Sequence, residues 1–497
     1  MALVATLSWA VASIAYPLGS DQGMMASIGD VIVRGGLPYR DGFDMKGPVA
    51  FYLFAATQFV FGHVEWGIRI VDLGIVLTGA AFFYSLLKRL LGSEPLSRWL
   101  ALSLVLTGAS RSWFHVSQPD GWAATFVTIA LWLLLGRERV SRRAWIVSGV
   151  LIGLSALIKP FFITLIAVPL AIAVTPAIAA AAVPVLLVLC GAILPIAATA
   201  AWFWANGALG DLIHVHFAFA LSYSGATSTD VPLLVDRFVS YFYYGAPRTP
   251  QGPFTVLLAP IVAGAVFAWK ERRSVGVPLL VWLITALGCV VIQQKFFVYH
   301  WLIAFPPLLA VAGFGLSRLP LADAPARIFT AVVIGVFAVR IAVTPTIDAL
   351  QFVRLIAGID SHDQYLARFG RGNYQPLSAE QAAAHIKART QPDERIAIYG
   401  TAAAVLFRSE RASASRFVFA LPLNGSNLEY RSANRREFMN GLRQPGARYV
   451  VIGPDPDQAP LGDFPEFTDY LAKHYQLETR FGGLDLYRLV DVPGQAR

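Results

Sequence analysis

Charge is scarce in this chain. Asp, Glu, Lys and Arg make up only 14% of its 497 residues, against about 25% in soluble globular domains. Apolar residues reach 56% and mean hydropathy is +0.57. That balance excludes an ordinary soluble enzyme and implies an integral membrane protein. Cysteine is scarcer still. Cys190 and Cys289 are the only two, both lie in apolar runs, and a disulfide framework is excluded. No G-x-G-x-x-G loop is present, so no nucleotide is assigned, and no internal repeat is visible. There is no basic residue before Arg34. Residues 1–18 therefore lack the charged start of a signal peptide and read as a retained first span. The net charge of +9 orients loops in a membrane protein and calls for no nucleic acid.

What is abundant is apolar sequence. Runs at 1–18, 68–87, 98–112, 118–136, 144–158, 160–177, 180–203, 252–269, 276–293, 299–317 and 326–344 each approach the length of about 17–25 residues that crosses hydrocarbon. They predict a polytopic α-helical membrane protein with about 11–13 spans. Basic clusters at Lys88-Arg89 with Arg98, at Arg137, Arg139, Arg142 and Arg143, and at Lys270, Arg272 and Arg273 belong on the cytoplasmic side. Eleven spans and a cytoplasmic N-terminus place all three clusters there. The run 48–62 then reads as a juxtamembrane or re-entrant helix, not a crossing. The outer face receives the loop 19–66, the turn 111–118, the segment 204–250, the turn 293–298 and the C-terminus. An aromatic cluster, Tyr241 to Tyr244, lies in the third of these and reads as a membrane belt or a sugar platform.

From about residue 347 the composition turns charged and mixed. Helix-like stretches at 378–389, 433–443 and 464–474 alternate with strand-like ones at 395–399, 416–419, 448–452 and 485–489. The expected organisation is a transmembrane domain over 1–346 and a small α/β domain over 347–497 on the outer face.

The ionisable residues gather at the rim of the expected outer face, while most span centres carry none. Asp21, Asp30, Asp41, Asp44, Lys46, His63, Glu65, Arg69, His115, Asp120, Lys159, Lys295 and His300 all fall in or beside the outer segments. An ion-coupled transporter would instead bury carboxylates near the midplane, often in repeated halves. A transporter or flippase of a lipid-linked saccharide remains the alternative reading. A glycan polymerase or ligase would be expected to have a more arginine-rich outer loop than 204–250, which offers only Arg237 and Arg248.

A rim site suits transfer of a sugar from a polyprenyl phosphate. The leaving group is already a stable anion and needs a cation more than a general acid. The acceptor hydroxyl needs one base, and a carboxylate can serve. A glycosidase would need an acid as well. Asp21 with Lys46 matches the first demand. The structural alternatives are plain: Asp21 or Ser20 as a helix cap, Asp120 as another cap, Asp41-Gly42 as a turn, Glu65 and Arg69 as an i,i+4 pair, Lys46, Lys159 and Lys295 as interfacial anchors.

These residues fall in an ordered series. Ser20-Asp21-Gln22 follows the first span, and Asp44-Met45-Lys46-Gly47-Pro48 closes the first loop. Phe61-Gly62-His63-Val64-Glu65-Trp66-Gly67-Ile68-Arg69, Ser117-Gln118-Pro119-Asp120 and Gly153 to Pro160 come next, then Lys295-Phe296-Phe297-Val298-Tyr299-His300-Trp301 running to Pro306-Pro307. Over residues 1–318 the chain resembles GT-C glycosyltransferases of the protein O-mannosyltransferase and lipid A aminoarabinose transferase branch. The resemblance implies a polyprenyl-phosphate sugar as donor, a lipid, glycan or protein acceptor, and a bacterial inner membrane with the C-terminal domain periplasmic. It implies Asp21 as base and Lys46 on the donor phosphate, with Lys159 and Lys295 as further phosphate cations. Asp120, Tyr299, His300, Glu65 and Arg69 become substrate-binding candidates. Many members carry an acidic pair where this chain has Asp21-Gln22, and an acidic residue directly before the lysine where it has Met45. Asp44 is thus open to three roles: binding acceptor, positioning Lys46, or joining a divalent metal. No cofactor is otherwise called for.

Overall fold

The computed structural model describes residues 2–175, 181–225, 231–244, 253–271, 273–370, 374–424, 428–453 and 461–490. The chain divides into two compact units that interleave in sequence. The first holds Met1–Ile14, Arg69–Trp202 and Thr227–Val353; the second holds Ala15–Ile68, Phe203–Ala226 and Arg354–Arg497. The loop 19–66 and the region after 354 are therefore parts of one body.

The first unit is helical. Each of the eleven apolar runs contains a helix. Among the described residues, four helices are long and apolar enough to cross a membrane: Glu65–Leu91, Ala182–Ala205, Arg273–Ile292 and Ala324–Ile356. Others are shorter, and proline sets several of their starts, as at Pro119, because a residue without an N–H fits the first helical turn. The runs 160–177 and 299–317 each open as a 3-10 turn, Pro160–Ile166 and Val298–Ile303, before becoming α-helical. Helices Arg142–Ala156 and Ala182–Ala205 approach backbone to backbone through glycine. A methyl group on Gly149 would lie 2.2 Å from the Val188 carbonyl, and one on Gly191 would lie 2.2 Å from that of Ile146. Small residues at such spacing let membrane helices pack closely without a side-chain layer between them. Val183, Leu186, Ile193, Leu194 and Trp204 of the second helix are exposed, as a face toward lipid would be.

The second unit is mixed. Helix Ser20–Val33 packs on helix Pro48–Phe61 and on helix Ala404–Ser409. Gly23 permits the second contact, since a methyl group there would stand 2.7 Å from the Ala404 nitrogen. Ser27 Oγ donates to the Ala403 carbonyl at 2.9 Å, and Gln58 Nε2 to that of Ala26 at 2.7 Å. Helix Pro48–Phe61 has 14 residues and ends at Gly62 with φ of +76°. It is shorter than the roughly 20 residues a crossing needs.

A four-stranded sheet completes this unit: β1 Ile396–Tyr399, β2 Tyr449–Ile452, β3 Tyr475–Phe481 and β4 Leu484–Leu489, in the order β1-β2-β4-β3. β1 and β2 run parallel, and the other two pairings are antiparallel. Helices Pro376–Lys387, Leu428–Gly441 and Pro465–His474 lie close to their expected places. The stretch 416–419 is not a strand. Phe417 makes a single bridge with Phe43, whose N–H donates to the Arg416 carbonyl at 2.8 Å, so its backbone serves the first loop instead of a ladder. The edge strand β3 was not expected, because its exposed, polar face leaves no apolar alternation to read.

Candidate active site

Asp21 sits in the first turn of helix Ser20–Val33, where a carboxylate is favoured by the helix dipole. The N-cap is Gly19, so neither Asp21 nor Ser20 is the cap. Lys46, from the end of the loop, places Nζ 3.5 Å from Asp21 Oδ1 and 3.2 Å from Asp44 Oδ2. Asp44 also accepts the Lys46 backbone N–H at 3.2 Å. The side chains of Lys46 and Asp21 keep 15% and 17% exposure, whereas that of Asp44 keeps 1%. Two carboxylates thus flank one ammonium, and only one of the two is open to an incoming molecule. Burial raises the Asp44 pKa, and Lys46 offsets part of that rise. Burial alone would lower the Lys46 ammonium, but Asp21 and Asp44 more than reverse this and raise it. Lys46 is therefore a fixed cation at neutral pH.

The loop is held in shape by residues with no motif of their own. Tyr39, at φ of +71°, donates its hydroxyl to the Lys46 carbonyl at 2.9 Å. Arg416 donates to the Tyr39 carbonyl at 3.1 Å and covers the Phe43 ring at 5.3 Å. His216 lies in a π-helical turn, Ile213–Phe219, and its Nδ1 donates to the Met45 carbonyl at 2.9 Å. Burial depresses the His216 pKa from 6.5 to about 4, against a smaller opposing effect of that bond. The unfolded chain takes up a proton as pH falls below about 6.5, and the folded chain resists until about 4. Stability from this group is therefore present above that window and lost as pH falls through it. His216→Gln, which keeps a donor but cannot titrate, should lose less stability than the native protein between about pH 7 and pH 4.5. Thermal unfolding of the purified protein in detergent at both pH values reads the difference, and equal losses would contradict it.

The other carboxylates of the loop have structural partners. Asp41 accepts the Leu37 N–H at 2.7 Å and pairs with Arg40 at 2.8 Å, as the turn reading expected. Asp30 pairs with Arg34 at 2.7 Å and with His63 at 2.6 Å. Glu65 takes a bidentate bond from Arg408 and accepts the Leu18 N–H at 3.0 Å.

A second polar cluster lies in the first unit. Asp120 is fully buried in the first turn of helix Pro119–Leu134, whose N-cap is Gln118, so it is not the cap. It pairs with Lys159 at 2.8 Å, and Lys159 Nζ also donates to Gln293 Oε1 at 2.5 Å. That ammonium stands 5.2 Å above the Tyr299 ring, and Tyr299 meets the buried His300 edge-on at 4.6 Å. Lys295 is half-buried on the same turn. Burial and, after it, Arg237 lower its pKa. The turn is strained on both sides of it, with φ of +54° at Gln294 and +49° at Phe296, as functional segments often are. Arg69, also buried, donates to the Val116 carbonyl at 2.9 Å and to Ser117 Oγ at 3.0 Å. The side chains of Tyr241, Tyr243 and Tyr244 lie outside the described residues. Among the described residues no group of three or more His, Cys, Asp or Glu is arranged as a metal set.

Residues 45–204 match the family of dolichyl-phosphate-mannose-protein mannosyltransferases. The chain is similar over its whole length to ArnT from Cupriavidus metallidurans. Against the form bound to undecaprenyl phosphate the TM-score is 0.62 at 14% identity, covering 100% of this chain and 98% of that one. Against the apo form it is 0.61 at 14% identity, covering 98% and 97%. The chain therefore shares the fold of ArnT, and residues 45–204 are similar in sequence to the mannosyltransferase family. No curated protein matches it in sequence.

At 14% identity the likeness to ArnT establishes the fold, and residue roles in this chain come from its own geometry. The motifs found Asp21, Asp44 and Lys46, which stand together, and Asp120, Lys159, Tyr299 and His300, which form the second cluster. They missed Tyr39, His216, Gln293 and Arg408. Only His216 left a trace in sequence, as one of two histidines, with His214, within the otherwise apolar stretch 212–221.

Proposed function

We propose that the protein is a membrane glycosyltransferase moving a sugar from a polyprenyl-phosphate donor to an acceptor hydroxyl by inverting single displacement. The reaction occurs on the outer face of a bacterial inner membrane, with the region after 347 on that side. The supporting observation is the Asp21–Lys46–Asp44 arrangement, in which a partly open carboxylate adjoins a fixed cation. The GT-C fold and the mannosyltransferase match are consistent with it, as is the undecaprenyl phosphate bound by ArnT.

Asp21 takes the proton of the acceptor hydroxyl while that oxygen attacks the anomeric carbon. The bond from carbon to phosphate oxygen breaks, and the polyprenyl phosphate leaves as an anion. Lys46 carries three N–H donors and meets that charge. Asp44, buried and bonded to both nitrogens of Lys46, acts by positioning it; this is the role favoured among the three open to it. Asp21 and Asp44 are the carboxylates that would hold a divalent metal, but the Lys46 ammonium within 3.5 Å already offsets their charge, and no step is assigned to a metal. Lys295 is the second candidate for the donor phosphate. Lys159 is held by Asp120 and Gln293, which suits ordering the second cluster better than free phosphate contact.

The test is a deletion strain examined by mass spectrometry. Loss of a sugar from one envelope glycolipid, glycan or protein, with accumulation of a polyprenyl-phosphate sugar, is expected. An unchanged glycan profile with a polyprenyl-linked sugar trapped on the inner leaflet would overturn the reading in favour of a flippase.

A further inference from the structure

We propose that Glu65, Arg408 and Tyr374 are positioning residues for Asp21, acting through the peptide unit groups of Leu18. The inference rests on the functional reading above, and every residue in it belongs to the second unit.

The helix that carries Asp21 begins without the usual anchor. Its N-cap is Gly19, in extended backbone with φ of −80° and ψ of 178°. Glycine has no side chain to bond the first-turn N–H groups, a contact that normally fixes where a helix starts. Asp21 is only the second residue of that helix. Any rotation of its first turn therefore moves the carboxylate relative to Lys46, and general-base catalysis depends on such distances.

The anchor lies one residue further back. Leu18 is completely buried, and both of its backbone polar groups are gripped. Its N–H donates to Glu65 Oε2 at 3.0 Å, and its carbonyl accepts the Tyr374 hydroxyl at 2.9 Å. Glu65 is itself fixed by Arg408, whose Nη2 reaches Oε2 at 2.9 Å while Nε reaches Oε1. Arg408 is anchored in turn by the Pro376 carbonyl at 2.8 Å and by Glu380 at 3.4 Å. Its side chain keeps 9% exposure. A bidentate guanidinium–carboxylate pair fixes orientation as well as distance. One carboxylate oxygen is thus presented to a backbone N–H three residues before the base.

A purely structural ion pair and a positioning pair differ in one respect. Glu65 can accept the Leu18 N–H, and an arginine at the same place cannot. The experiment uses the full-length protein in lipid nanodiscs. The donor is the lipid fraction that accumulates in the deletion strain, and the acceptor is envelope material from that strain. Rate constants, donor KM and thermal unfolding are measured together. Tyr374→Phe, a mild change, should lower kcat about three- to tenfold, the effect of one hydrogen bond, with donor KM and Tm nearly unchanged. The exchange Glu65→Arg with Arg408→Glu restores opposite charges, and its Tm should recover relative to Arg408→Met while kcat stays low. If kcat instead follows Tm through the series and recovers in the exchanged protein, the pair is only structural and the proposal is overturned. Asp21→Asn in the same assay separates the two readings. An active Asp21→Asn removes the functional reading and the clamp with it. An inactive Asp21→Asn beside a fully active Tyr374→Phe and exchanged protein removes the clamp alone.

Discussion

Asp21→Asn should lower the rate of sugar transfer about 10²- to 10⁴-fold, the usual contribution of a general base, while the protein inserts and unfolds as before. The substitution keeps the shape of the side chain and an oxygen facing Lys46, but the amide cannot take the acceptor proton. The carboxylate it replaces is 17% exposed and 3.5 Å from the ammonium. The pair is long, and Asp44 still offsets the Lys46 charge in the variant, so the Tm should hardly move. Binding of the donor should survive, because Lys46 and Asp44 remain in place. Initial rates and donor binding measured on the same preparation give the answer. A rate within about tenfold of the native protein would remove Asp21 as the base.

The expectations that held came from composition and from local chemistry. Eleven apolar runs became helices because hydropathy and proline placement are properties of short stretches. The helical starts of the C-terminal region were readable for the same reason, with proline at the head of Pro376–Lys387 and Pro465–His474. The closeness of Asp21 to Lys46 was legible because the proposed chemistry asks for few residue types, and the first loop supplied them. What was illegible depends on contacts between distant segments. Tyr39 holds Lys46 from seven residues away, but Arg408 reaches Glu65 across 343 residues and Tyr374 reaches Leu18 across 356. Nothing in the sequence near 408 marks that arginine. The stretch 416–419 misled for a related reason, since Phe417 packs on Phe43 and Val418 and Phe419 are buried without joining a sheet.

These long contacts also alter what truncation after about 350 should do. If the region after about 350 only recruited the acceptor, such a deletion would impair acceptor use more than donor binding. The second unit brings the later region into the support of the loop itself, through Arg416 on Tyr39 and Ala404 on Gly23. A deletion would therefore disturb base and cation together, and point changes at Arg408 or Tyr374 are the sharper probes.

Lys46→Met carries the largest expected effect on stability. Asp44 keeps 1% exposure, and its carboxylate is already pushed upward by burial, with Lys46 as the opposing charge. Removing the ammonium leaves a buried carboxylate without its cation. Breaking a buried pair from one side costs about 3–5 kcal/mol, so Tm should fall by several degrees and transfer should cease. The sign of the pH dependence follows from the direction of the shift. In the variant the folded pKa of Asp44 rises further above its unfolded value near 3.8. Protonation then favours the folded state, so the deficit should shrink as pH is lowered from about 8 towards 5 and grow as pH rises. Adding Asp44→Asn removes the buried charge. The double variant Lys46→Met with Asp44→Asn should recover most of the lost stability, and its pH dependence should disappear, while transfer stays absent because nothing meets the leaving phosphate. Denaturant unfolding and transfer assays on the single and double variants distinguish the two roles. If the double variant recovered transfer together with stability, Lys46 would be a structural partner of Asp44 and the donor phosphate would have to be held elsewhere, with Lys295 the first place to look.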